Sequence, residues 1–292
     1  MSSDLIVLYL LNMLFYASML FMISSGLNLI YGVMRILNIA HGAFYAFGAY
    51  AGAWVVSFML VDYYPLLFLV FPLVGTLAAV IVSSMLESTL INPVYRRREE
   101  YQLLLTFGIL LILEDSLKAI WGSTPLSAVE PFRVLGSIEI TRITYPVYNL
   151  VIILAGFITA LTLWIYITKT KTGVVMRAVA SDYEMALALG VNIRKVYMQT
   201  FIIASAIAGF AGAIIVPTSA AVLGMSIEIL ILAFVVIVIG GLGSIKGAFL
   251  GSLLVGLTRV IGVTYFPKIE LVILYAVAAI ILIIRPRGLF GK

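Results

Sequence analysis

Phe234-Val235-Val236-Ile237-Val238-Ile239-Gly240-Gly241-Leu242-Gly243-Ser244-Ile245-Lys246-Gly247 is an apolar run that ends in a cluster of glycines. It joins an apolar run over 227–242 to a second over 247–266, each close to the length that crosses the roughly 30 Å hydrocarbon core of a bilayer as a helix. Glycine at 240, 241 and 243 gives the junction backbone freedom, so it reads as either a turn between two crossings or a broken, re-entrant pair. Working outward, apolar runs of the same kind occupy 5–31, 40–60, 65–91, 102–121, 147–168, 197–217 and 269–284.

Composition excludes the soluble alternatives. Of 292 residues, 63% are hydrophobic and 11% charged, too apolar for a water-soluble globule to hide. The ten-residue alternation of barrel strands is missing, so the expectation is an all-α, polytopic transmembrane helical bundle of about eight to nine spans. No cysteine and a single histidine leave no thiolate chemistry and little for a metal site. The beginning Met1-Ser2-Ser3-Asp4 lacks the basic region of a signal peptide, and Leu5 onward reads as the first helix.

Charge orients the bundle. Arg35, Arg96, Arg97, Arg98, Lys169, Lys171, Arg177, Arg194, Lys195, Lys246, Arg285, Arg287 and Lys292, 13 of the 18 basic residues, sort to one side, which the positive-inside rule makes cytoplasmic. The other side carries Asp4, Asp62, Glu130, Glu139, Glu228 and Glu270, so the net charge of +5 reports topology and not nucleic-acid binding. Within the external loop 122–146, Ile138-Glu139-Ile140-Thr141-Arg142 alternates like a strand; the loop reads as a plain connector or a surface for an extracytoplasmic partner.

Two segments share a weak internal repeat: Ile39-Ala40-His41-Gly42-Ala43-Phe44 and Ser244-Ile245-Lys246-Gly247-Ala248-Phe249. Each follows an apolar helix and a glycine-containing break, Gly32 in the first and Gly240-Gly241-Gly243 in the second. Paired breaks of this kind point to a translocation path, because unwound backbone offers donors and acceptors to a polar solute without a buried charge. The expected path comprises Asn28, Gly32, Asn38, His41, Gly42 and Phe44 at one break and Gly240, Gly241, Gly243, Ser244 and Gly247 at the other. Small-xxx-small helix packing is the competing role for Gly48, Gly52, Gly247 and Gly251, and Gly156 lies in an ordinary span. His41 also reads as a cap or a snorkelling side chain, and Lys246 as a topology anchor.

Asn12, Asn28 and Glu114 fall inside spans, where polar groups are expensive. Asn28 is the best placed to line the path, Asn12 can pin two helices together, and Glu114, one turn before Lys118, predicts an ion pair near the outer interface. No catalytic motif and no phosphate-cradling Gly-Lys-Ser/Thr loop occurs, so any ATP would be hydrolysed by another chain.

The stretch from Lys169 to Lys195 is the hydrophilic exception. Ser181-Asp182-Tyr183-Glu184-Met185-Ala186-Leu187-Ala188-Leu189-Gly190 predicts two turns of helix, opened by a Ser181/Glu184 capping box and stopped by Gly190. So short a helix would fray alone, and it reads as a handle for a cytoplasmic partner.

The segment Gly26-Leu27-Asn28-Leu29-Ile30-Tyr31-Gly32-Val33-Met34-Arg35-Ile36-Leu37-Asn38-Ile39-Ala40-His41-Gly42-Ala43-Phe44-Tyr45 resembles the membrane permease subunits of branched-chain amino acid ABC transporters, the H-type subunit in particular. Gly240 to Ala248 and Arg177 to Gly190 extend the likeness over essentially the whole chain. The resemblance implies a single transmembrane permease domain over 1–292 with a cytoplasmic coupling loop at 169–195, lying in the cytoplasmic (inner) membrane of a prokaryote. It implies a second homologous permease subunit, two cytoplasmic ATP-binding subunits and an extracytoplasmic substrate-binding protein, with no cofactor in this chain and no nucleic acid. It makes Ser181, Asp182, Glu184, Met185, Ala186, Leu189 and Gly190 the coupling helix against the ATPase. It also implies inverted halves, whereas helix counting starts both Gly-Ala-Phe segments from the cytoplasmic side unless one break is re-entrant. A urea or short-chain amide permease of the same superfamily, and a self-contained channel or ion-coupled carrier, are the rival functions.

Overall fold

The computed structural model describes residues 3–58, 64–95, 97–140 and 142–291; Asp62, Arg96, Thr141 and Lys292 lie outside them. In chain order the helices are α1 (Ser3–Met34), α2 (His41–Phe58), α3 (Tyr64–Leu86), α4 (Glu99–Trp121), α5 (Glu130–Leu135), α6 (Val147–Lys169), α7 (Lys171–Ser181), α8 (Tyr183–Ala188), α9 (Ile193–Ile215), α10 (Met225–Gly240), α11 (Ile245–Tyr265) and α12 (Glu270–Ile284). Each of the nine predicted apolar runs falls on one of them. Five helical stretches, Asp4–Met34, Leu66–Val94, Val147–Lys169, Ile193–Thr218 and Ile245–Tyr265, are long and apolar enough to cross a membrane, and α10 and α12 are shorter apolar helices.

The chain is a helical bundle turned inside out. Leucines, isoleucines and phenylalanines on α3, α4, α6 and α12 face outward, Leu69, Leu104, Phe157 and Ile283 among them, while Ser24, Ser25, Asn28, His41, Thr200 and Ser205 are buried. Lipid satisfies the apolar exterior, so the interior is selected for close packing and polar pairing. Small residues let α2, α3 and α9 touch backbone to backbone: a Cβ on Gly48 would lie 2.1 Å from the Gly209 carbonyl oxygen, and one on Gly75 2.5 Å from that of Gly48. The packing role expected of Gly48 is therefore real, and Gly156 is no ordinary position, since a Cβ there would come 2.5 Å from Ser18 Cβ. Around this core α1 packs on α11, α9 and α6, and α10 bridges α11 and α2.

The basic loops converge on one end. Arg35, Arg177 and Lys246 line one cavity, and the Tyr95 and Tyr197 rings meet edge to face at 5.0 Å. The Leu289 and Phe290 N–H groups donate to the Ile239 and Gly240 carbonyls, both at 2.9 Å, tying the tail to the end of α10. At the acidic end β1 (Leu126–Ser127) pairs antiparallel with β4 (Ala220–Ala221), and β2 (Ser137–Ile140) forms a hairpin with β3 (Ile143–Pro146), the expected strand-like piece.

The hydrophilic stretch holds two helices. α7 runs through Ser181, and Asp182 is the N-cap of α8, its carboxylate accepting the Met185 N–H at 2.9 Å. The Ser181/Glu184 capping box is corrected accordingly: Ser181 is still helical, whereas Asp182 has the extended backbone a cap requires. Gly190 ends α8 as expected, at φ +80°, with Val191 N–H bonded to Ala186 O and Gly190 N–H to Leu187 O in the Schellman pattern.

Candidate functional site at the broken helices

The first break follows α1. Gly32 is helical and is not its cause; α1 continues to Met34, and Arg35, at φ +56°, turns the chain. Gly32 instead seats the second break, because a Cβ there would lie 3.1 Å from the Gly243 carbonyl oxygen. Residues 36–40 climb back into the bundle without helix, held by Asn38, whose Oδ1 accepts the Ala40 N–H at 3.1 Å. His41 then lies 3.1 Å, through Nε2, from the Ile23 carbonyl, about 16 Å along α1 from Met34. The segment is thus re-entrant, and α2 starts in the interior.

The second half supplies a counterpart, and it is α10 instead of α11. Between α9 and α10 the chain turns at Gly224, φ +89°, and Glu114 of α4 accepts hydrogen bonds from the Gly224 N–H and the Ser226 hydroxyl. Glu114 lies about 10 Å below the Trp121 end of α4, so α10 also begins inside the bundle. The two starts touch: a Cβ on Gly42 would fall 2.1 Å from the Ser226 carbonyl oxygen and 3.0 Å from Leu230 Cβ. From there α2 runs to the acidic end, where Tyr50 packs on Trp121 with ring centroids 5.6 Å apart, and α10 runs to the basic end. This is an inverted arrangement, with two helix N-termini converging within the bundle.

That convergence corrects the expected Glu114–Lys118 pair. A helix start brings partial positive charge and unpaired N–H groups, and the Glu114 carboxylate answers those of α10. Lys118 stays exposed and forms no ion pair with Glu114. One serine at the start of an apolar run carries no local signal in the sequence, so Ser226 is not legible there; an acid inside a span was the available pointer. Close to the convergence two buried polar atoms, Asn38 Nδ2 and His41 Nδ1, have no hydrogen-bond partner. With Nε2 donating to Ile23, they are a donor and an acceptor three residues apart, the pair a small polar solute or water would satisfy. Phe44 walls this side, its ring edge-to-face with His41 at 6.3 Å and Phe201 at 5.6 Å.

The remaining expected path residues gather separately at the basic end. Gly241 and Gly243 adopt φ +106° and +79°, and Ser244 caps α11 by accepting the Gly247 N–H at 3.1 Å. Asn28 clamps this turn from α1, donating to Ser244 O at 2.6 Å and accepting from Gly243 N–H at 2.5 Å. Gly240 and Gly247 allow α10 and α11 to cross closely, a Cβ on Gly240 falling 2.1 Å from Gly247 O. Asn28, Gly32, Gly243 and Ser244 also border a cavity of about 570 Å³.

The expected coupling residues lie on an exposed arm at the basic end. Ala186 is buried, Asp182 and Glu184 are exposed, and Met185 and Leu189 turn outward, Leu189 with 77% of its surface open. Both are large apolar side chains left open on a short arm.

A family described as the branched-chain amino acid transport system / permease component matches residues 9–284. The high-affinity branched-chain amino acid transport system permease protein LivH of Escherichia coli (strain K12) is 27% identical, over 93% of this chain and 91% of that one. BraD of Pseudomonas aeruginosa, named for the same kind of system, is 27% identical over 97% of this chain and 95% of its own length. A second E. coli permease protein, LivM, is 27% identical over 90% of this chain and 66% of its own. No solved structure matches. With the match running over nearly all of its length, this multi-pass membrane protein belongs to the permease component family of branched-chain amino acid transport systems.

Proposed function

We propose that the chain is one of two homologous permease subunits of an ATP-driven importer in the cytoplasmic membrane of a prokaryote, taking up branched-chain or other hydrophobic amino acids by alternating access. The similarity to both LivH and LivM of one organism supports a paired permease. The basic end faces the cytoplasm, as the positive-inside rule requires. Two separate cytoplasmic subunits bind and hydrolyse ATP there, and an extracytoplasmic binding protein delivers solute at the acidic end. The solute passes the converging starts of α2 and α10, where backbone and the amide and imidazole of Asn38 and His41 offer polar partners within an apolar wall.

The observation that carries this reading is α8, a capped helix that leaves Met185 and the C-capping Leu189 in the open. We assign it as the surface on which the ATPase presses. The test is the paired change Met185→Asp and Leu189→Asp in the assembled complex in vesicles. Solute-stimulated ATP hydrolysis and uptake should both fall at least about tenfold, as when central apolar contacts of an interface are lost. Normal uptake by a complex of normal composition would overturn the assignment.

A further inference from the structure

We propose that the cavity at the basic end is a binding site for an anionic phospholipid of the cytoplasmic leaflet, whose phosphate lies among Arg35, Arg177 and Lys246. These cations come from three separate elements, the α1–α2 turn, α7 and the first turn of α11, and all three are exposed into or beside one cavity of about 570 Å³. No Asp or Glu lines it, and none of the three forms an ion pair among the described residues. Three like charges drawn together around a concave surface repel one another, and an anion in the cavity relieves that repulsion.

The walls select a lipid over a soluble anion. Trp164 and Ile167 of α6 and Phe290 of the tail form an apolar lip, with Trp164 49% exposed about 7 Å from the Lys169 end of its helix. That is the depth at which tryptophan marks the boundary of headgroup and acyl chain. A phosphodiester on the cations with its glycerol and first methylenes against this lip uses both surfaces, and a free phosphate would use only one. The volume falls in the range of about 300–1,000 Å³ typical of small-molecule sites. Such a lipid bridges the core helices α1 and α11 to α7, which leads through Ser181 into α8, so its binding strengthens the seat of the arm.

The inference rests on the basic end lying at the cytoplasmic leaflet, and its test is independent of uptake. The purified complex, stripped of lipid, is equilibrated with mixed micelles of phosphatidylcholine and phosphatidylglycerol, and retained lipid is counted by native mass spectrometry. The wild type should retain phosphatidylglycerol in preference to phosphatidylcholine. The pair Arg177→Gln and Lys246→Gln should lower retention about thirtyfold, roughly fivefold for each charge at a membrane surface. Lys246→Arg, which keeps the charge, should retain it, and Trp164→Ala should weaken lipid retention with the complex still assembled. Equal retention of both lipids, retention unchanged in the double variant, or displacement by millimolar inorganic phosphate would overturn the lipid assignment. Should the double variant fail to assemble, the phosphate arm and Trp164→Ala on the intact cluster decide the question alone.

Discussion

The two breaks that share a Gly-Ala-Phe sequence have opposite characters. At the first, Phe44 is fully buried and Asn38 and His41 each keep one unpaired buried atom. At the second, Phe249 is 40% exposed, and Asn28, Ser244 and the tail satisfy the turn's backbone through Gly243 N–H, Ser244 O, Gly247 N–H and Gly240 O. Buried polar atoms without partners are costly, whereas a saturated turn holds its helices in place. The same local sequence therefore leaves buried polar atoms unpaired in one half and a fully bonded turn in the other.

The strongest test of the interior convergence is Gly42→Val. Its new atoms would collide with the backbone of Ser226, so neither α2 nor α10 could keep its start, and folded complex and uptake should both be nearly abolished. The expected cost exceeds about 3 kcal/mol, the upper part of the usual overpacking range. Gly108→Val is the matched control, because a Cβ there has no neighbour within 4 Å; retention of full assembly in that variant is expected by thermal melting and uptake. Gly156 cannot serve, since it packs on Ser18.

The contrast between breaks sharpens with Asn28→Ala and Asn38→Ser. Asn28→Ala strands Gly243 N–H and Ser244 O, and should lower stability by about 2–4 kcal/mol with activity falling in proportion. Asn38→Ser keeps a short acceptor for Ala40 N–H but removes the unpaired amide donor, so uptake should drop about tenfold while stability changes by less than about 1 kcal/mol. If the two variants lose stability and uptake in the same ratio, the distinction between the bonded turn and the proposed site fails.

Smaller effects separate local from tertiary roles. Glu114→Gln should cost about 1–2 kcal/mol, the loss of charge at a helix start, while Lys118→Met leaves the melting temperature unchanged; equal losses would restore the i, i+4 pair. Gly190→Ala should be the mildest, about 1 kcal/mol for an L-residue at φ +80°, read as a small weakening of ATPase association.

The features legible along the chain alone are local. Apolar length placed nine helices, charge bias gathered the basic loops, and Gly190 stopped α8, because each depends on neighbours along one chain. Even the short-range reading slipped where two helices abut: Ser181 belongs to α7, and the cap passes to Asp182. Tertiary structure decided the rest. Whether Gly32 breaks a helix or seats a distant turn, whether Glu114 meets Lys118 or a helix start more than a hundred residues away, and which helix answers α2 all depend on close approach between segments. In a membrane interior that approach is governed by small residues and by the need to pair every buried polar group, and a small-xxx-small spacing marks a packing face without saying which distant segment meets it.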